Sequence, residues 1–426
     1  MEEKITSGRL VIKGGKPLIG EVEISGAKNS ALKLLAAVLL TAEPVEIENI
    51  PQLQDVTVMM ELLCELGVSI TFCDQGVIRL EASKIECLTV PYDLVKAMRA
   101  SIVVLGPLLT RFQDVKVALP GGCNIGPRPI DIHLAGLKAM GAEIDVQEGF
   151  VHAYVKNRLK GAKIAMRMVS VTATENLMMA ATLAEGVTVL KNAAREPEVV
   201  DLANFLNQMG AKIIGAGTSK ITITGVESLH GTRYKVMSDR IEAGTYLVAA
   251  VMTKGNIKLR NISPECMKAT LIKLKKTGAK IETTPDSISL DMQGKEPKAV
   301  DIETAPYPGF ATDMQAQFVA LNTIANGISK VTETIFENRF MHVPELVRLG
   351  ANIQITGRSI TCQGVKKLSG APVLASDLRA SACLVLAGLV AEGETQMEGV
   401  GHMDRGYSNL EEKLRLLGAE IRRVTV

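Results

Sequence analysis

The chain has 426 residues, 47% apolar and 22% charged, which suits two or three domains with ordinary buried cores. Its 48 basic and 46 acidic residues leave a formal net charge of +2, and its aromatics are 8 Phe and 6 Tyr with no Trp, so neither the basic excess nor the stacking platforms of a nucleic-acid binder are present. Seven cysteines without any C-x-x-C and five scattered histidines form neither a disulfide framework nor a zinc signature, which leads to the expectation of no metal and no cofactor.

The beginning, MEEKITSGRL, lacks the basic-then-apolar order of a signal peptide. The longest apolar runs, such as ACLVLAGLVA, reach about half of the roughly 20 residues a spanning helix needs. A cytoplasmic protein without a membrane partner is expected.

In chain order, RLVIKGGKPLIGEVEIS comes first, and SGAKNS then opens an apolar helix, ALKLLAAVLL. A second helix closes in LLCELG before the extended VSI. This ending recurs as LKAMGAEID, LNQMGAKII, LKKTGAKIE, LVRLGANIQ and LRLLGAEIR, with glycines at 67, 141, 210, 278, 350 and 418. The glycine takes the place just past a helix end. One such ending per about 71 residues means six units of a single architecture. Each unit reads as an apolar helix, a short alternating strand such as VTVLKN, a second helix such as VVDLANFLNQMG, and two further strands such as KIIGAG and KITITG. A unit of about 70 residues is marginal alone, so several must share a core.

The sixth unit stops after GAEIRRVTV, one strand short, and the N-terminal RLVIKGGKPLIGEVEIS resembles the missing piece. The two termini are therefore expected in one domain. Three units per domain give one domain of residues 1–27 and 238–426, a second of 28–237, and an active site in the cleft between them. A linear solenoid with capped ends explains the incomplete sixth unit less well.

Charged residues gather at equivalent helix starts. First helices carry Lys28, Arg99, Asp239 with Arg240, Asp313, and Asp377 with Arg379. Second helices carry Cys123, Arg128 and Asp131, Glu196, Glu337 with Arg339, and Asp404 with Arg405. A helix N-terminus exposes free N–H groups and the positive end of a dipole. Each acid taken singly is explained by capping. Lysine and arginine oppose the dipole and need a compensating anion, which points to a phosphorylated ligand. Neighbouring carboxylates supply that anion for Arg379 and Arg405 more readily than for Lys28. Cys123 lies in PGGCNIGPRP, a loop punctuated by glycine and proline, where nearby arginine lowers a thiol from about 8.5. Cys64, Cys266, Cys362 and Cys383 read instead as small core residues. KTG at 276–278 is the repeat's own helix end, and His133 and His342 lack ligand spacing.

The strings SGAKNSAL, MRAS, LPGGCNIGPRPIDIH, NAAREPEVVD, DRIEAGT, TDMQAQF, ENRFMHVPEL, DLRASA and DRGY resemble the UDP-N-acetylglucosamine 1-carboxyvinyltransferase family of the EPSP synthase superfamily, along essentially the whole chain. The resemblance implies two inside-out α/β barrel-like domains of three repeats each. It implies transfer of enolpyruvate from phosphoenolpyruvate to the 3′-hydroxyl of UDP-N-acetylglucosamine, the step that commits the nucleotide sugar to peptidoglycan, by a monomer or weak oligomer. Carried over by position, Lys28 and Asn29 contact phosphoenolpyruvate, and Arg128 and Arg405 clamp its phosphate and carboxylate. Arg99, Arg128, Pro129, Ile130, Asp131, Ile132, Ser170, Val171, Asp313, Ile335 and Arg339 match substrate-holding positions, and Asp377 and Arg379 a further pair. Cys123 takes the role of proton donor and site of a phosphoenolpyruvate adduct, and Asp313 that of base, with Asp377 as its partner. Thr172, where many relatives have glycine, and Met168, where some have lysine, depart from the pattern on the uridine side, and Arg167 is a candidate to supply the displaced charge. The competing readings are enolpyruvyl transfer to shikimate 3-phosphate and a non-catalytic sensor of nucleotide sugar.

Overall fold

The computed structural model describes residues 8–119 and 130–425, which form two compact units: 8–25 with 238–425, and 26–119 with 130–237. The loop at 120–129, with Cys123, Arg128 and Pro129, lies outside the described residues.

Each unit is built around three largely apolar helices that are buried on nearly every side, with few polar residues among them. In the first these are Arg240–Met252, Gln315–Ile324 and Leu378–Gly388, and every residue from 241 to 252 is buried. In the second they are Lys28–Ala37, Leu105–Phe112 and Val171–Thr182. A helix without a polar face must sit inside, so helices form the interior and sheets the outside. The second helix of a repeat is different. Gln54–Leu66 buries one stripe, Asp55, Val56, Met59, Leu62, Leu63 and Leu66, and lies over the core with its other face in water. All six repeat-end glycines take the left-handed conformation, with φ from +94° at Gly141 to +105° at Gly67, where a side chain would be strained.

The sheets repeat too. Lys163–Ala165, Val187–Lys191, Lys220–Thr224 and Lys212–Ile214 lie side by side in that order, a parallel pair followed by two antiparallel pairings. Six sheets of four strands follow this plan among the described residues. In the sixth, the N-terminal strand Gly8–Lys13 lies between Glu394–Glu398 and Glu420–Thr425, with Leu10 opposite both Met397 and Arg423. It supplies the strand that the last repeat lacks. Ile19–Glu23 pairs in parallel with Asn256–Arg260.

One element departs from expectation. The helix expected to open at Arg99 is instead a short helix, Tyr92–Ala97, a 3-10 turn, Arg99–Val104, and a helix, Leu105–Phe112. Pro107 explains the break, because it has no N–H to donate back one turn and is tolerated only within a first turn. Cys362 and Cys383 are buried as expected, but Cys64 is exposed on the outer face of its helix.

Candidate functional site

In the first unit the centre is Asp313, in the 3-10 turn Thr312–Met314 that opens the helix Gln315–Ile324. Its Oδ1 accepts from Arg339 Nη2 at 2.6 Å and its Oδ2 from Arg379 Nη2 at 2.7 Å. Both guanidiniums are buried, whereas the carboxylate keeps 27% of its side-chain surface open. Burial pushes the Asp313 carboxyl up, but Arg379 and Arg339 outweigh it and hold the group well below the usual carboxylate range. The carboxylate is ionised, open on one side, and engaged at both oxygens.

The two arginines are anchored on different groups. Arg379 Nη1 donates to the Tyr407 hydroxyl at 3.2 Å, and Thr245 and Gln317 meet the same oxygen at 3.0 and 3.2 Å. Arg339 Nη1 donates to Thr312 Oγ1 at 3.0 Å, and that hydroxyl donates to Glu333 Oε2 at 2.8 Å. Asp377 caps the helix Leu378–Gly388. Its Oδ1 accepts from the N–H groups of Arg379 and Ala380 at 2.8 and 3.0 Å, so the capping role holds beside any other. Arg405 follows the short turn Gly401–Asp404 and is half-buried. The His402 ring lies below its ordinary value through burial and then the Arg405 charge, while Asp377 pulls it up. Asp404 does not join Asp313; it forms a bidentate pair with Arg423 at 2.8 and 2.7 Å. Ile335 is 36% exposed.

In the second unit the first turns of Lys28–Ala37 face three carboxylates from other elements. Lys28 Nζ lies 3.0 Å from Asp55 Oδ2, so the lysine that lacked an obvious sequence neighbour has one across the fold. Ser30 donates to Asp201, which also accepts from the Tyr234 hydroxyl at 2.8 Å. Lys33 reaches the Asn29 carbonyl at 2.7 Å and lies 3.3 Å from Glu175, both side chains being buried. Burial raises the Glu175 carboxyl to about 7 against the opposing charge of Lys33.

Nearby, Ser170 caps the helix Val171–Thr182 by accepting from Ala173 N at 3.3 Å, and Val171 begins that helix half-buried. Asp131 opens Asp131–Ala139 and pairs with Arg167 at 2.6 Å on the surface, with Ile132 buried behind it. The Asn176 Oδ1 accepts from Gly106 N at 2.8 Å, so its amide nitrogen donates to His133 Nδ1 at 2.9 Å. This leaves the proton of His133 on Nε2, 3.4 Å from the Thr172 hydroxyl. Burial lowers the His133 ring to about 4, and it is neutral. Arg99 begins its 3-10 turn, and Ile130 stands directly before Asp131, half-buried.

Thr312, Glu333, Tyr407 and the Lys33–Glu175 pair were not singled out as site residues from sequence. A signal existed for the pair: a lone charge inside ALKLLAA and another inside TENLMMAA must find a partner when those helices are buried. Among the described residues no group of three or more His, Cys, Asp or Glu is placed to hold a metal, and no helix is long and apolar enough to cross a membrane.

Residues 12–414 match the family model of EPSP synthase (3-phosphoshikimate 1-carboxyvinyltransferase). The chain is 56% identical over 417 residues, 98% of its length and 96% of the relative's, to the UDP-N-acetylglucosamine 1-carboxyvinyltransferase of Coxiella burnetii, in strain Dugway 5J108-111 and equally in strain RSA 493 / Nine Mile phase I. Its fold matches the enolpyruvyl transferase NikO from Streptomyces tendae with a TM-score of 0.88, at 25% identity over 99% of this chain and 100% of that one. EPSP synthase from Acinetobacter baumannii matches at 0.75 and 17% identity, covering 98% and 100%, a likeness of fold.

Proposed function

The chain belongs to the EPSP synthase family, and on that premise we propose that it transfers the enolpyruvyl group of phosphoenolpyruvate to the 3′-hydroxyl of UDP-N-acetylglucosamine, releasing phosphate. The observation that carries the choice of acceptor is 56% identity, along nearly the whole of both chains, to enzymes bearing that name. The reading makes the protein a cytoplasmic enzyme at the committed step of peptidoglycan synthesis.

The reaction draws on residues of both units. Lys28, Asn29, Arg128 and Arg405 bind phosphoenolpyruvate, whose phosphate and carboxylate balance cations at helix starts. Arg99, the segment 128–132, Ser170, Val171 and Ile335 hold the nucleotide sugar. The sugar hydroxyl oxygen bonds to C2 of phosphoenolpyruvate as its proton passes to Asp313, and C3 takes a proton from the Cys123 thiol. The resulting ketal then loses a proton from C3 and its C2–O bond to phosphate, leaving the enolpyruvyl ether. Asp313 is ionised, as a base must be, but Arg339 and Arg379 weaken its basicity. Anionic phosphoenolpyruvate competes for the Arg379 guanidinium, and that competition frees Oδ2 for the hydroxyl while Arg339 stays on Oδ1.

The test is phosphate release from phosphoenolpyruvate with UDP-N-acetylglucosamine and, separately, with shikimate 3-phosphate. Release with the first alone is expected. Release only with the second would move the chain to the other acceptor, and folded protein releasing none would leave the sensor reading.

A further inference from the structure

The repeats provide an internal standard. In three of them the residue just after the first-sheet strand is an asparagine with positive φ: Asn49, Asn192 and Asn261. Each donates its side-chain amide to the carbonyl at the end of the neighbouring parallel strand, Val236, Met166 and Ile24, at 2.9, 2.9 and 3.0 Å. These bonds are latches between adjacent repeats. Leu119 and Gly399 stand at two of the other three positions. At the sixth, after Ile328–Thr332, stands Glu333, and the residue across from it is Thr304 in place of an apolar side chain.

A carboxylate cannot donate to a carbonyl, so the latch is inverted here. Thr304 Oγ1 donates to Glu333 Oε1 at 2.9 Å, and the N–H groups of Ile335 and Phe336 donate to the same oxygen at 2.8 and 3.1 Å. Proton directions are fixed by the outer partners. Thr304 Oγ1 already accepts from Thr334 N at 2.9 Å, and Thr312 Oγ1 accepts from Arg339, which has only donors. Both hydroxyl protons therefore go to Glu333, a 1% exposed carboxylate that receives four hydrogen bonds. An asparagine latch would need none of these groups.

We propose that Glu333 is a positioning residue for the reaction: by orienting the Thr312 hydroxyl it fixes Arg339 against Asp313. The inference rests on the assignment of Asp313 as the base. Glu333 touches no reacting atom and acts along the sequence Glu333, Thr312, Arg339, Asp313, each step a hydrogen bond. Its contribution therefore belongs to kcat, and to the ionisation that governs the acidic limb of the pH profile.

The experiment is a double-mutant cycle in the full chain, with Glu333→Gln, Thr312→Val and the two combined, assayed by phosphate release over a range of pH. Each single change is expected to lower kcat about tenfold, the loss of one charge-assisted hydrogen bond, with KM for phosphoenolpyruvate within about twofold. The acidic limb should move to higher pH. Because both act on Arg339 by one route, the double variant should match Thr312→Val alone, and Thr312→Ser should restore most of kcat. If Glu333→Gln does not fold, Thr304→Val takes its place in the cycle. Losses that multiply, unchanged kcat in the singles, or an unmoved acidic limb would overturn the proposal. Asp313→Asn run alongside separates the two readings: full activity in that variant removes the base assignment, whereas an inactive Asp313→Asn with multiplying losses removes only the role of Glu333.

Discussion

Asp313 and Arg379 meet at 2.7 Å, and the arginine is the more buried partner. The usual exposed ion pair is worth little, but here two guanidiniums share one carboxylate and neither has much access to water. Asp313 therefore both compensates two buried cations and, in the proposed chemistry, receives a proton.

Asp313→Asn separates these duties. The amide keeps the shape but leaves two buried guanidiniums without a counter-charge, which costs about 3–5 kcal/mol. Loss of the base lowers kcat by a further factor of about 10²–10⁴. The pH sign follows from the depressed carboxyl. In the wild type this stabilisation is present above the ordinary aspartate value of 3.8 and is lost only as pH falls through the lower folded value. Thermal melts from pH 7 to pH 3 should show a destabilised variant whose deficit persists throughout that range. A variant as stable as wild type would contradict the packing argument, and one with unchanged kcat the chemical one.

The repeats were legible because backbone chemistry dictates them: a left-handed residue past a helix end calls for glycine, and six of them at even spacing count the units. The pairing of the termini followed from one missing strand. Individual charges at helix starts were legible as well, but their partners were not. Asp55 reaches Lys28 across 27 residues and Arg379 reaches Asp313 across 66, and no local spacing encodes such distances. Glu333 was invisible for another reason. It lies on the end of a strand, away from the helix starts where anion binding directs attention, and its meaning emerges only beside Asn49, Asn192 and Asn261 in the folded repeats.

Glu175 predicts a pH slope in stability. Burial raises its carboxyl from the ordinary 4.5 to about 7 in the folded chain. The native state thus holds a proton that the unfolded chain has released between those values, and stability falls as pH rises from 4.5 to 7. The contribution is on the order of 3 kcal/mol across that window. Burial raises the Glu242 carboxyl to about 7 as well, so Glu175→Gln removes only its own share of the slope, whatever it does to the absolute stability by leaving Lys33 without its anion. Denaturant unfolding at pH 5, 6 and 7 measures the difference between the two proteins, and parallel curves would contradict the assignment.

Thr172 tests the uridine side. Its hydroxyl faces His133 Nε2 at 3.4 Å, a long contact, and His133 directly follows Ile132 in the segment assigned to the nucleotide. Thr172→Val keeps the side-chain volume and removes the hydroxyl. A weak hydrogen bond at that length implies about a twofold to fivefold rise in KM for UDP-N-acetylglucosamine. KM for phosphoenolpyruvate and kcat should not change. A change in kcat alone would place Thr172 with the chemistry instead.

Cys123 should be the cysteine that an epoxide phosphonate such as fosfomycin alkylates. Epoxide opening needs a thiolate, and the phosphonate needs cations beside it. Burial pushes the Cys362 thiol up to about 12 and Cys383 well above its ordinary value. Cys64 is exposed, but partial burial, Glu61 and Glu65 all raise it. Cys73 is exposed and open to a neutral alkylating agent such as iodoacetamide, yet its neighbours in TFCDQG include an acid and no base. Only PGGCNIGPRP places a cysteine five residues from an arginine assigned to the phosphate. Peptide mass spectrometry at pH 7 should find the phosphonate label on Cys123 alone, while iodoacetamide also marks Cys73. Protection by phosphoenolpyruvate is expected, since both ligands use the same cations. Label on Cys73 or Cys64, or no label on folded active protein, would remove Cys123 from the role of proton donor.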